Sequence, residues 1–198
     1  MNKFTETYWD EIYHSNSETW DIGYISTPIK EYIDQLNNKL IRILVPGAGN
    51  GYEVEYLYKK GFHNTYALDW SKEAIKNFSN RVPEFPKCNI IKEDFFAHRK
   101  RYDLIIEQTF FSSIEISNRY SYVKQMWNLL KSNGKVVGLL FDCDFGKPYP
   151  PFGGSKREYE KLFSPFFIIK IMDRCYNSIK PRLGRELFFI LQKSNKYL

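Results

Sequence analysis

Cysteine and histidine are scarce in this chain. Only three of its 198 residues are Cys and three are His. Cys88, Cys143 and Cys175 are too few and too widely spaced for a disulfide framework or a zinc cluster. His14, His63 and His98 are equally scattered, with no pair at metal-ligand spacing, so no metal site is expected. The same scarcity leaves no Cys/His or Ser/His constellation, and no dedicated catalytic residue is expected. Long apolar runs are missing too. None approaches the roughly 18 residues of a membrane span, and the segment Met1-Asn-Lys-Phe-Thr-Glu-Thr7 lacks the apolar block of a signal peptide, so a soluble, cytoplasmic protein with no membrane partner is expected. No Pro/Gly/Ser linker, repeat or low-complexity stretch divides the chain, which implies one domain over residues 1–198. Clustered charge is also lacking. The net charge is +6, but the basic residues are dispersed and the densest group, His98-Arg-Lys-Arg101, is short, which reads as a solvated basic surface with no nucleic-acid partner.

Aromatic residues are plentiful: 16 Phe, 15 Tyr and 4 Trp. Most must be core. The most informative stretch runs from Ile41 to Ser71. Ile41, Ile43, Leu44 and Val45 form a β-branched apolar run closed by Pro46 and by glycines at 47, 49 and 51, so a buried strand enters a tight turn. A helix carrying Val54, Leu57 and Tyr58 follows and stops at Gly61. The next strand, Thr65 to Leu68, ends on Asp69. In a Rossmann-type unit the glycines let backbone approach a ligand, and an acid about 20 residues further on accepts ribose hydroxyls. A dinucleotide fingerprint would need glycine at Tyr52, and Gly51 comes one residue too soon. That disfavours a pyrophosphate, hence NAD, and favours S-adenosylmethionine, which has ribose and adenine but no phosphate.

Around this unit the chain reads as alternating elements. Residues 4–14 form a short helix with Phe4, Tyr8 and Ile12 on one face. Trp20 sits in the polar loop that follows, either plugging a core gap or lidding a ligand. Thr27 caps a helix whose apolar positions run from Ile29 to Leu40, with Pro28 at the first helical position. Ser71 caps the helix ending near Arg81, and Cys88 to Lys92 is the third strand. It ends at Glu93-Asp-Phe-Phe96, where Asp94 and Phe95 either hold an adenine or are a turn acid and core rings. Tyr102 to Ile106 is the fourth strand, and Glu107 to Ser113 beyond it should face a reaction centre. Ser117 opens a helix that includes Leu130 and stops at Ser132-Asn-Gly134, before a fifth strand over Val136 to Phe141. Strand and helix alternate to this point, which implies parallel pairing. Ser155 and Glu158 then form a capping box, and the stretches 166–172 and 186–191 make a closing antiparallel hairpin.

Leu44-Val-Pro-Gly-Ala-Gly-Asn-Gly-Tyr52, Tyr102-Asp-Leu-Ile-Ile-Glu-Gln-Thr-Phe-Phe111, and Tyr8-Trp-Asp-Glu-Ile-Tyr13 with Thr19-Trp-Asp-Ile-Gly23 resemble the thiopurine S-methyltransferase superfamily, particularly its thiol and halide branch. The resemblance implies an α/β, Rossmann-like class I methyltransferase fold: a mostly parallel seven-stranded sheet with a terminal antiparallel hairpin and helices on both faces. It implies S-adenosyl-L-methionine as cofactor and S-adenosyl-L-homocysteine as product. Residues 1–40 would be a helical cover over the cofactor, with Trp9, Tyr13 and Trp20 at the sulfonium. Gly47 would touch the methionine moiety, Asp69 the ribose, Asp94 and Phe95 the adenine, and Gln108 the junction of cofactor and acceptor. Gly49, and Trp70 and Ser71 beside Asp69, complete the cofactor-binding candidates. Tyr149 and Phe152 would line the acceptor pocket with Trp9 and Gln108. Tyr13 stands where the family usually has tryptophan, and Ala48 where cysteine is common. Gln108 replaces the arginine of the thiopurine enzymes and the tyrosine of the plant-type enzymes. A neutral amide lacks the charge that an anionic heterocycle would want. The expected acceptor is therefore a small soft nucleophile: a thiol, sulfide, thiocyanate or halide. The alternatives are a thiopurine or metalloid oxyanion acceptor, or a non-catalytic cofactor-binding or RNA-associated protein. A monomer or homodimer is expected.

Overall fold

The computed structural model describes residues 4–15 and 17–194. Residues 1–3 and 16 of the expected N-terminal cover, and residues 195–198, lie outside the described residues. A seven-stranded sheet runs in the order β3-β2-β1-β4-β5-β7-β6. Its centre is β1 (Ile43–Pro46), all four residues of which are buried. Successive side chains of a strand point to opposite faces, and here both faces are covered. Ile43 and Val45 join the core under α2 (Thr27–Asp34), α3 (Tyr52–Lys59) and α4 (Lys72–Arg81). Leu44 joins the opposite core with Tyr122, Val123 and Met126 of α5 (Arg119–Asn128) and Tyr159 and Phe163 of α6 (Lys156–Phe163). An apolar run without alternation is what burial on both faces requires.

Strands β2 (Thr65–Asp69), β3 (Ile90–Lys92), β4 (Tyr102–Gln108) and β5 (Leu130–Phe141) pair in parallel with β1 and one another. The hairpin closes the sheet as expected: β7 (Glu186–Lys193) is antiparallel to β5 on one side and to β6 (Phe167–Arg174) on the other. Chain order reverses between β1 and β4, so a crevice opens beyond the carboxyl ends of these strands. Over it lies α1 (Glu6–His14), tied to α4 by Asp10, whose Oδ1 accepts from Ser71 Oγ at 2.7 Å and Glu73 N at 3.3 Å.

Several element boundaries differ from expectation. Ser117 lies in a 3-10 turn, Ile116–Asn118, and α5 begins only at Arg119 with Asn118 as its N-cap. The second helix ends at Asp34, Ser26 is its N-cap, and Leu40 is 81% exposed. The segment 37–39, Asn-Asn-Lys, explains the early stop, because asparagine favours turns and the Asn38 side chain accepts from Leu40 N at 3.0 Å. Residues Lys87–Asn89 form a 3-10 turn, which shortens the third strand to Ile90–Lys92. Leu130 belongs to β5, opposite Tyr102, and the next paired residues are Leu104 and Lys135. Residues 131–134 are therefore a bulge within the strand, with Ser132 and Asn133 exposed, Gly134 buried and Asn133 at φ 61°.

Candidate active site

The crevice contains a cavity of about 960 Å³, counting its open mouth. Its floor is the glycine turn after β1. Gly47 and Gly49 have φ of 58° and 53°, a region costly for residues with a Cβ. A Cβ on Gly47 would lie 2.3 Å from Phe110 Cδ2, and one on Gly49 would lie 2.6 Å from the Tyr13 hydroxyl. Both positions bring backbone against aromatic side chains that line the cavity.

Asp69, at the tip of β2, is locked to this floor. Its Oδ2 accepts from Gly49 N and its Oδ1 from Ser71 N, both at 2.9 Å. Burial pushes the Asp69 carboxyl up, while the backbone N–H groups of Gly49, Ser71 and Trp70 oppose that rise. Beyond β3, Asp94 Oδ1 accepts from Phe96 N at 3.0 Å and Phe95 is almost fully buried. The turn is braced from beneath. His98 Nδ1 lies 2.6 Å from Glu93 Oε2 and its Nε2 lies 2.8 Å from the Tyr102 hydroxyl, while Gln125 Nε2 donates to the carbonyls of Phe95 and His98. At 1% exposure His98 is a core residue, so the basic run 98–101 is not uniformly solvated.

Trp9, Tyr13, Trp20, Gly47, Asp69, Trp70, Asp94 and Phe95 all border the cavity. Trp20 meets Trp9 at 5.6 Å and Tyr13 at 6.1 Å between ring centroids, both edge-on, so α1 and the following loop interlock above it. Gly49 and Gln108 border a second cavity of about 510 Å³ that shares Gly47, Thr109, Tyr13 and Trp20 with the first.

The remaining candidates lie elsewhere. Ser71 is buried beneath the site: its hydroxyl caps α4 at Ala74 N and donates to Asp10. Gln108 is turned from the main cavity, and its Oε1 accepts from Ser26 Oγ at 2.8 Å. Tyr149 is 47% exposed with Lys147 over its ring, and Phe152 packs edge-on against Phe4; neither borders the main cavity. Pro150 and Pro151 form that wall instead. The loop is set by its backbone, since Phe152 N donates to Ser112 O and Arg119 Nη2 to the carbonyls of Phe152 and Gly153.

Within 107–113, Glu107 does not face the cavity. It is fully buried in the core, where Oε1 accepts from Phe111 N at 2.9 Å and Oε2 from the Tyr122 hydroxyl, and burial pushes its carboxyl up to about 7. These bonds turn the chain sharply through Thr109, at φ 62°. Thr109, Phe110, Ser112 and Ser113 then form the outer wall, with Ile114, Glu115 and Asn118. Apart from the stretch 107–113 itself, sequence reasoning had singled out none of these outer residues, and periodicity gives no sign of Asn118 or Pro151. Among the described residues no group of His, Cys, Asp and Glu is placed to hold a metal ion, and no helix is long and apolar enough to cross a membrane.

Residues 4–187 match the family described as Thiopurine S-methyltransferase. The chain belongs to this family. "Probable thiol methyltransferase 2" of Arabidopsis thaliana is 30% identical over 204 residues, covering 100% of this chain and 89% of that protein. "Thiocyanate methyltransferase 1" of Brassica oleracea is 29% identical, covering 90% and 81%. Among solved structures, the Burkholderia thailandensis 1,6-didemethyltoxoflavin-N1-methyltransferase with bound S-adenosylhomocysteine superposes at TM-score 0.78 with 15% identity, covering 96% of this chain and 87% of that one. A TehB-like methyltransferase of Corynebacterium glutamicum gives 0.66 at 15% identity, covering 98% and 100%. The fold is thus the Rossmann-like class I methyltransferase fold, and the protein is an S-adenosylmethionine-dependent methyltransferase. The cavity fits that cofactor: a glycine cradle with no room for a Cβ, a buried acid beside it, and aromatic walls.

Proposed function

We propose that this enzyme methylates a small soft nucleophile, such as hydrosulfide, a small thiol, thiocyanate or iodide. The observation that carries the reading is the composition of the main cavity's wall: among the described residues no histidine, lysine, arginine or cysteine borders it. Such a wall offers no imidazole, amine or thiolate base and no cation to a large anionic heterocycle; its titratable groups are the carboxyls of Asp69, Glu93, Asp94 and Glu115 and the Tyr13 phenol. A soft nucleophile that is already wholly or partly anionic near neutral pH requires neither. The thiol and thiocyanate methyltransferases among the relatives support the same acceptor class.

When bound, S-adenosylmethionine supplies an electrophilic methyl group on a sulfonium. The chain's residues then have three tasks. Asp69 holds the ribose through lone pairs left over from its two backbone bonds, and Asp94 and Phe95 hold the adenine. Trp9 and Trp20 shut out water and, facing a cation, contribute roughly 0.5 to 2 kcal/mol each. Phe110, Ile114 and Pro151, which border the cavity, would confine the acceptor against the cofactor's methyl group, where alignment is the main source of rate. A dry wall also strips an anion of hydration, which raises its reactivity.

The test is a rate panel at saturating cofactor, following S-adenosylhomocysteine formation with thiocyanate, hydrosulfide, iodide, an aromatic thiol, a thiopurine and a metalloid oxyanion. We expect kcat/KM for at least one soft anion or small thiol to exceed that for the thiopurine tenfold or more. A preference for the thiopurine or the oxyanion overturns the assignment.

A further inference from the structure

Apart from His98, the buried basic side chains among the described residues are Arg119, Arg182 and Lys193. Arg182 Nη1 lies 3.5 Å from the buried Glu186. Lys193 donates to Leu130 O at 2.7 Å, at the start of β5 and so at the end of the sheet away from the crevice. Arg119, the first residue of α5, differs on both counts. The arginines that form ion pairs among the described residues are Arg81, Arg174 and Arg182, so the Arg119 charge, 8% exposed, has no carboxylate against it.

Its neighbours are carbonyls and rings. Nη2 donates to Phe152 O at 3.1 Å and Gly153 O at 2.9 Å, and the guanidinium lies 4.5 Å from the Phe111 ring centroid and 5.9 Å from that of Tyr159. Nε is buried with no hydrogen-bond partner. Burial works against the charge, while Tyr159 and Glu158 favour it. Glu158 is exposed and is held by Ser155 N and Oγ, both at 2.8 Å. A guanidinium stays protonated in such surroundings, and burying it uncompensated is costly.

This charge stands behind the outer wall of the main cavity. Asn118, which precedes it, and Pro151, which precedes Phe152, both border that cavity. So does Ser112, whose carbonyl accepts from Phe152 N at 2.7 Å. Consecutive Cα atoms are about 3.8 Å apart, which puts the guanidinium within roughly 10 Å of Pro151. Across a buried wall, salt screens a charge at that range only weakly. The wall's own carboxyls, on Asp69, Glu93, Asp94 and Glu115, act in the opposite sense and repel an anion. We infer that Arg119 determines specificity: acting through the wall, its charge favours an anionic acceptor over a neutral one. This rests on the soft-nucleophile reading and adds to it the sign of the acceptor's charge. Thiocyanate that takes the methyl group from the sulfonium leaves as neutral methyl thiocyanate beside a neutral thioether, so the field that draws the acceptor in does not hold the product.

Amide NMR titration of the full chain saturated with S-adenosylhomocysteine reads this without turnover. The ligands are thiocyanate and methyl thiocyanate at constant ionic strength, and the quantity is the ratio of their affinities. Arg119→Gln removes the charge but keeps an N–H donor for a loop carbonyl. It lowers thiocyanate affinity about 10-fold and leaves the affinities for methyl thiocyanate and S-adenosylhomocysteine within about twofold. Arg119→Lys keeps the charge and loses the planar fork; it holds the ratio within about threefold of wild type, and serves alone if the glutamine variant does not fold. Equal losses of both ligands in Arg119→Gln, a tenfold fall of the ratio in Arg119→Lys, or no saturable thiocyanate binding by wild type overturns the inference and leaves Arg119 a clamp on the loop. The acceptor reading fails on a different result, the absence of wild-type turnover with every soft nucleophile.

Discussion

Replacing Glu107 by glutamine tests the most loaded contact behind the site. Burial raises this carboxyl from 4.5 to about 7, so the folded chain holds a proton that the unfolded chain has released. Stability is therefore fully present below pH 4.5 and declines as pH rises through the window from 4.5 to 7. The slope is about 1.4 kcal/mol per pH unit, and about 3 kcal/mol is lost across the window at most. Glutamine keeps an oxygen for Phe111 N–H and never ionises. Its amide faces the Tyr122 oxygen, which can accept as well as donate. Glu53 titrates in the same window, but it is the last-named influence on Glu107 and nearly cancels when the two proteins are compared. Urea unfolding at pH 5, 6, 7 and 8 gives the difference. The variant should lie within about 1 kcal/mol of wild type at pH 5 and gain on it steadily toward pH 7, with no further change above. Parallel curves would refute the argument that a buried, neutral carboxyl holds the 107–111 turn.

Gly47→Ala forces a Cβ to within 2.3 Å of Phe110 Cδ2 at φ 58°; backbone strain alone costs about 1–2 kcal/mol. Thermal unfolding should show that loss, and titration should show weaker S-adenosylhomocysteine binding because the ring must enter the cavity. Trp20→Ala should weaken cofactor binding and lower turnover together, and unchanged kinetics would return Trp20 to a purely structural role. Tyr149→Ala should leave kcat/KM within about twofold, because the ring stands outside the main cavity's wall; a loss of a hundredfold would show that the loop turns inward during catalysis.

The stretch from Ile41 to Ser71 was readable because each of its signals is local. A β-branched run, alternate glycines and an acid at the next strand's tip fix backbone shape within a few residues. The Ser155 and Glu158 capping box is equally local, and both of its reciprocal bonds form. What escaped the sequence depends on partners distant along the chain. Gln108 is held by Ser26, and the direction of Tyr149 and Phe152 follows from backbone bonds to Ser112 and Arg119. Glu107 sat in a stretch expected to face the reaction centre, yet Tyr122 and Phe111 N hold it in the core. Leu130 continued the apolar spacing of α5 but pairs with Tyr102, since an apolar residue at an element's edge suits either helix or strand. Glu53 and Arg182 come to border one cavity only in the folded chain, with no motif joining them.

The central claim is methyl transfer to a small soft nucleophile. Its most direct test is a sealed-headspace experiment: purified protein and S-adenosylmethionine carrying a deuterated methyl group, with hydrosulfide, thiocyanate, iodide or a small aromatic thiol in separate vials. The account predicts deuteromethylated product from at least one vial, matched one-to-one by S-adenosylhomocysteine. Tight S-adenosylhomocysteine binding with no methylated product from any of the four would contradict it.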